Sequence, residues 1–391
     1  MDRSLQAPLF KEITGYMSPD GDNTRLADQE LHHPVTAYTS EHIHESERRM
    51  MLTEPVIVGH ASSLPKPGDF IAHSDCGVPI LVVRQKDGGV KAFINACRHR
   101  GAKVCTGERG SARAFTCSYH GWTYQQDGAL LRVPRDGFPN VDTARSGLVE
   151  LACESRHGLI WVVPTPGIEI DVAKHLGPID DELAQYPLDS YVLERDALIE
   201  ENLNWKFILD GFLEIYHIPV LHRDSISPWF YGRFSPFDQI GRHGRLVGVK
   251  KSFQELKDKT FEDVGDIMRH VAVNYQIFPN TIVVWQQDHF EVWTAFPGAT
   301  PRDCKVRIMS LVKPDMLGEE YRSRWDRNWK VLIDTVRGED WAVCGQAQDA
   351  LPYLKEQGLV FGRNEPGIQH FHATVTAELD RRSGSTSPET R

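Results

Sequence analysis

The chain has 391 residues, 40% hydrophobic and 25% charged, enough for two or three domains and too mixed for a fibrous or disordered polypeptide. Its 44 basic against 54 acidic residues leave a net charge of −10, which opposes affinity through phosphate neutralisation and argues against a nucleic-acid partner. The start MDRSLQAPLFKEITG lacks a secretory apolar core and no stretch approaches the roughly 20 apolar residues of a membrane helix, so a cytoplasmic protein without membrane contact is expected.

In chain order, residues 1–50 are a polar helical lead-in, with ADQELHH and SEHIHESERRMM suggesting amphipathic helix. From 51 to 166 apolar and polar residues alternate in short runs. Asp87-Gly88-Gly89 marks a hairpin because glycine accepts the positive φ such turns need, and a second hairpin is expected over Thr123 to Leu130. The prolines of HGLIWVVPTP close this mostly β segment. From 167 to 375 the types mix: a helix over 203–217, strands in VAVNYQIFPNTIVVWQQDHFEVWTAFP and CKVRIMSLVKP, and a long helix over 319–349. That last helix carries Trp325, Trp329, Leu332 and Val336 at the spacing of one buried face. The final 376–391 is poor in apolar residues and is expected to be disordered.

Seven cysteines, irregular and odd in number, do not form a disulfide framework. Two of them stand out by spacing. Cys97-Arg98-His99 and Cys117-Ser118-Tyr119-His120 are C-x-H and C-x-x-H pairs with seventeen residues between them, each where a strand gives way to a loop. Two thiolates and two imidazoles suit zinc or an iron–sulfur cluster, but zinc sites tend to group like ligands, whereas each loop here gives one of each. Cys97 and Cys117 can then hold one iron while His99 and His120 hold the other. Cys76, Cys105, Cys153, Cys304 and Cys344 lack such spacing and read as inert thiols.

The stretch NWKFILDGFLEIYHIPVLH carries Asp210, Glu214, His217 and His222. On a helix Glu214 and His217 share a face, and Pro219 should end or bend that helix so that His222 returns beside His217. Two histidines and one carboxylate make a facial triad suited to Fe(II). Asp210, Glu214 and the acids of Arg337-Gly338-Glu339-Asp340-Trp341 all qualify, and a nearby carboxylate can instead orient a ligand histidine. Asp340, Cys344 and Ala347 fall on one helical stripe.

From about 45 to 375 the chain resembles the α subunit of the Rieske non-haem iron oxygenases, the ring-hydroxylating oxygenases. The resemblance implies an α+β protein: an N-terminal all-β Rieske domain at 51–166 with a [2Fe–2S] cluster on Cys97, His99, Cys117 and His120, and a helix-grip catalytic domain at 167–375, a curved antiparallel sheet crossed by a long helix. It implies mononuclear Fe(II) on His217, His222 and Asp340, with Glu339 as the fallback, and Glu214 bridging His217 to His120 of a neighbouring subunit in a homotrimer. Asp210 stands where the family commonly has an amide, and would orient a substrate or form an ion pair. Electrons would come from an NAD(P)H-dependent reductase, directly or through a ferredoxin. With O2, the chain would hydroxylate a small aromatic substrate or, as the alternative, demethylate or hydroxylate a quaternary ammonium or N-/O-methyl compound. Phe207, Ile208, Phe212, Phe230, Phe278, Trp285 and Trp293 are the candidate pocket wall.

Overall fold

The computed structural model describes residues 1–18, 25–134, 137–354 and 357–384. They form two compact units, Arg49–His175 with Pro187–Leu193, and Met1–Arg48 with Leu176–Tyr186 and Glu194–Arg391. The first unit therefore runs on past the proline-marked edge at 166 to His175, without further strands in that stretch, and the N-terminal lead-in up to Arg48 packs within the second unit.

The first unit is all β apart from short helical turns. Its largest sheet has five antiparallel strands, ordered Glu150–Leu151, Val90–Ile94, Ile80–Arg84, Asp69–His73 and Arg109–Ser111. The Asp87-Gly88-Gly89 hairpin joins the second and third of these, with Gly88 at φ 87°. A smaller sheet pairs Phe115–Thr116, Thr123–Tyr124 and Leu130–Arg132, and Gly128 at φ 83° turns the hairpin expected there. Leu81, Val83, Phe93 and Tyr124 belong to the unit's core, and Cys97 and Cys117 are buried in the same cluster.

In the second unit seven antiparallel strands form one sheet: β1 (Val192–Glu201), β2 (Phe237–Ile240), β3 (His243–Val249), β4 (Val271–Ile277), β5 (Thr281–Trp285), β6 (His289–Pro297) and β7 (Cys304–Val312), in the order β1-β7-β6-β5-β4-β3-β2. Val, Ile and aromatic residues fill β4 to β7 because both faces are covered: β5 and β7 are buried almost throughout. The long helix arrives as Glu319–Thr335, a π turn at Val336–Asp340, and Trp341–Ala350. Trp325 is buried, Leu332 and Val336 line the cavity below, and Ala347 is exposed, so the stripe from Asp340 continues to buried Gln348 instead.

Four local expectations are corrected. The helix expected over 203–217 stops at Asp210, and Glu214 and His217 lie in the turn that follows, so their proximity comes from the turn and not from a helix face. Pro219 does not end a helix; it occupies the first turn of a short one, Ile218–Leu221, where its missing N–H is no loss. The tail is helical to Gly384, because Phe371, His372 and Val375 are buried and Glu378 ties Arg381 and Arg382 one turn on; residues 385–391 lie outside the described ones. In the lead-in, ADQELHH contributes a strand, Leu31–His33, paired with Leu359–Phe361, while Glu41–Met51 is the amphipathic helix.

Candidate metal centres

Cys97 and Cys117 begin two matching turns. The Gly101 N–H donates to the Cys97 carbonyl and the Gly121 N–H to the Cys117 carbonyl, both at 2.9 Å. The two cysteine N–H groups reach the carbonyls of Ala102 and Trp122, each at 2.8 Å. Gly101 and Gly121 close the turns at φ 77° and 73°, a conformation glycine adopts without strain. The imidazoles that follow meet, with His99 and His120 ring centroids 4.5 Å apart. Trp122 stacks on His99 at 5.3 Å and 9°. His99 Nδ1 is buried without a hydrogen-bond partner, an orphaned atom of the kind a metal takes up. Both cysteines are buried while His120 is exposed, so the four residues fit a cluster with its thiolate side inward and one imidazole at the surface.

Sequence reasoning missed Tyr124. Its hydroxyl accepts the Arg98 N–H at 2.9 Å and lies 3.3 Å from Cys97 Sγ, to which it can donate. Burial raises its pKa, which keeps that proton in place. Cys105, between the pairs, is turned away: its thiol faces the Gly107 carbonyl, and burial raises its pKa.

In the second unit His217, His222 and Asp340 bring one ligand atom each to within 4.8 Å of one another. Asp340 Oδ1 is 3.1 Å from His222 Nε2 and 3.6 Å from His217 Nε2. Each ring's other nitrogen faces a carboxylate. His222 Nδ1 is 2.6 Å from Glu339 Oε2, which also accepts the Ser225 hydroxyl at 2.8 Å. His217 Nδ1 is bonded to Glu214 Oε1, and the other Glu214 oxygen accepts the His217 N–H at 3.1 Å. Burial works against a charge on His222, but Asp340 and Glu339 outweigh it and raise its pKa, so the site favours a positive charge there. Two Nε2 atoms and one carboxylate oxygen converging in this way fit a divalent ion with open positions.

Asp210, on the short helix Trp205–Asp210, is not aimed at this group. Its oxygens accept the Tyr38 hydroxyl at 2.7 Å and meet His372 Nε2 at 2.9 Å, so both are engaged within the fold. Cys344, one turn beyond Asp340, has a thiol pushed up to about 12 by burial and then by Asp210, Asp340 and Glu214.

A cavity of about 150 Å³ opens on the His217, His222 and Asp340 side chains, walled by Phe207, Ile208, Phe212 and Phe230. A second of about 580 Å³ adjoins it, sharing Phe212, Ile226, Phe230, Gln286, Thr335 and Val336. Trp293 lines the larger one, but Phe278 and Trp285 line neither and belong to the core. Strand alternation explains Trp285: Val284 and Gln286 face the cavity, so the residue between them faces away.

Residues 54–142 match the Rieske [2Fe-2S] domain family, and residues 188–381 match the ring hydroxylating alpha subunit (catalytic domain) family. The chain is 33% identical to the biphenyl 2,3-dioxygenase subunit alpha of Rhodococcus jostii over 91% of its own length and 87% of the relative's. It is 31% identical to the glycine betaine monooxygenase oxygenase subunit of Chromohalobacter salexigens, over 86% and 84%. Its fold is that of a quaternary ammonium Rieske monooxygenase solved with an inhibitor, at TM-score 0.75 and 21% identity over 89% of this chain and 94% of that one.

Proposed function

The chain belongs to the Rieske non-haem iron oxygenases as a ring-hydroxylating α subunit, and from that premise we propose that it hydroxylates a small aromatic substrate with O2 at iron held by His217, His222 and Asp340. Its β unit contains a Rieske [2Fe–2S] domain and its second unit is of the kind that binds mononuclear iron. When bound, the cluster supplies electrons singly and the Fe(II) activates O2 beside the substrate.

The observation that carries the assignment is the paired use of each histidine. Glu214 and Glu339 occupy the two Nδ1 atoms, which leaves both Nε2 atoms beside Asp340 Oδ1, where one ion could be shared by all three. Glu339, the fallback ligand, is thereby assigned to orienting His222. On the cluster, Cys97, His99, Cys117 and His120 are the ligands, and the Tyr124 hydroxyl draws charge from the Cys97 sulfur, which favours reduction. Phe207, Ile208, Phe212 and Phe230 exclude water from the reacting face and hold a flat apolar ring against it.

Electrons arrive at the cluster from an NAD(P)H-dependent reductase, with or without a ferredoxin. They leave through Glu214 to His217 of the next subunit in a homotrimer. Exposed apolar side chains beside Glu214, Tyr216 at 66% and Val220 at 83%, together with Tyr119 at 55% beside His120, support subunit contacts at both ends of that route. Among the described residues no helix is long and apolar enough to cross a membrane.

A second reading, demethylation of a quaternary ammonium compound, is favoured by the glycine betaine relative and by the rings of Phe212, Phe230 and Trp293, which suit a cation as well as an arene. One experiment separates them. Reductase-coupled turnover of biphenyl should give a cis-diol, whereas turnover of glycine betaine should give formaldehyde. Asp340→Ala should lower iron from about three to about two per chain while the cluster absorption persists, and abolish product. Unchanged iron content in that variant would remove Asp340 from the ligand set.

A further inference from the structure

The larger cavity carries more charge than an arene needs, and its balance points to the substrate's other end. Its acids are already engaged. Asp288 is paired with Arg324 and lies 2.6 Å from His289 Nδ1. Glu291 faces His289 Nε2 at 3.3 Å and accepts the Trp293 indole N–H at 3.1 Å. Asn328 completes the His289 contacts at 3.1 Å. The wall cations left over are Lys250 and Lys251, at the end of β3.

Lys251 is exposed to solvent, whereas Lys250 is only partly so. Its backbone is fixed, with the N–H on the His270 carbonyl at 2.9 Å and a bridge to Phe230, a residue of both cavities. Its ammonium group has no hydrogen-bond or ion-pair partner among the described residues. Burial alone lowers its pKa, with no acid acting to restore it. An unpaired, half-desolvated ammonium is unfavourable in the free protein, and a ligand anion relieves that cost on binding.

We propose that Lys250 is an anion subsite that selects a carboxylate-bearing aromatic substrate, its ring directed to the His217–His222–Asp340 end and its carboxylate to Lys250. This rests on the reading of the two adjoining cavities as the substrate site. The inner cavity has no lysine or arginine: besides the candidate iron ligands and Glu214 its polar side chains are the neutral Asn274, Gln286 and Thr335, so the anion and the reacting ring occupy opposite ends. Lys250 is thus a specificity residue: it touches the substrate's carboxylate and none of the reacting atoms.

The test is anaerobic calorimetric titration of the iron-loaded protein, where no turnover interferes. Its probes are benzoate, phenylacetate and 3-phenylpropionate, each against its own amide; the three chain lengths read the span between ring and ammonium. At least one acid should bind tenfold or more tightly than its amide. Lys250→Met should reduce that ratio to within threefold and leave amide affinity unchanged, which also shows that the variant is folded. Lys251→Met should keep the ratio. Acids that bind no better than amides, or a preference that survives in Lys250→Met, overturn the proposal. Aerobic turnover of the same probes reads the underlying assignment separately: tight acid binding with no product from any aromatic leaves the anion subsite standing and removes the hydroxylase reading.

Discussion

Histidines in this chain divide according to what holds their second nitrogen. His217 and His222 each place a glutamate on Nδ1, which keeps a proton there and frees Nε2 for a metal. His60, in the first unit, has the opposite arrangement and a purely structural result. Its Nε2 faces the Leu188 carbonyl at 3.2 Å and so donates, while Nδ1 accepts the Ser62 N–H at 3.2 Å. Both roles need the neutral ring. The side chain is fully buried, and burial lowers its pKa to about 4 against a small opposing effect of the Leu188 carbonyl. Between about pH 6.5 and 4 the unfolded chain takes up a proton at His60 that the folded protein resists, so stability is complete above 6.5 and falls as the pH drops through that window. The loss is on the order of 3 kcal/mol by pH 4. Urea denaturation at pH 7.5 and 4.5 should show His60→Gln less stable than the parent at the higher pH but with a shallower decline, by about that amount. Parallel declines would mean that His60 titrates normally in the folded protein. His33, also lowered to about 4, contributes equally to both curves.

Among the elements, the π turn at Val336–Asp340 decides where the acids point. It inserts one residue between two regular helical runs, and π turns of this kind collect at functional sites. Through it Glu339 reaches the far side of His222 while Asp340 reaches the near side of both histidines. Deleting Gly338 restores the α-helical count and rotates Asp340 by about 100° relative to Glu319–Thr335. That variant should keep its helical circular dichroism and cluster absorption yet lose the mononuclear iron. Gly338→Ala, which keeps the count, should retain all the iron and gain roughly 0.5–1 kcal/mol, since an added Cβ there meets nothing within 4 Å. Iron loss in both variants would make the residue, not the turn, the determinant. The same turn marks the limit of what was legible in the sequence. The Cys and His pairs were legible because their ligands sit two or three residues apart on single loops. The strands of the sheet and the long helix were legible through their periods. No propensity in Val-Arg-Gly-Glu-Asp encodes a widened turn, so Asp340 was reached through family resemblance and Glu339 was not given its orienting position. Asp210 depended on His372, 162 residues away, and the cavity-facing position of Lys250 depended on the whole sheet.

At the scale of the whole molecule, two redox centres on separate compact units raise the question of which cluster serves which iron. The proposed route runs from His120 of one subunit to Glu214 and His217 of the next, and a closed head-to-tail ring gives every iron one donor. This has a consequence that no single-chain variant can expose. One chain carries Asp340→Ala, with cluster but no mononuclear iron; the other carries Cys97→Ser, with iron but no complete cluster. Each alone should be inactive. Co-expressed and assembled at random in equal amounts, half the iron-bearing chains would follow a cluster-bearing neighbour, so about one quarter of all sites should turn over. Every trimer holding both kinds of chain contains one such pair, so trimers isolated through both of two different affinity tags should turn over at about one site in three, read as product yield per chain. If electrons instead passed within one chain, no mixture of these variants would form product at any ratio. Glu214→Gln placed on the iron-bearing chain should remove the recovered activity, whereas on the cluster-bearing chain it should leave that activity intact, because only the acceptor's Glu214 lies on the path.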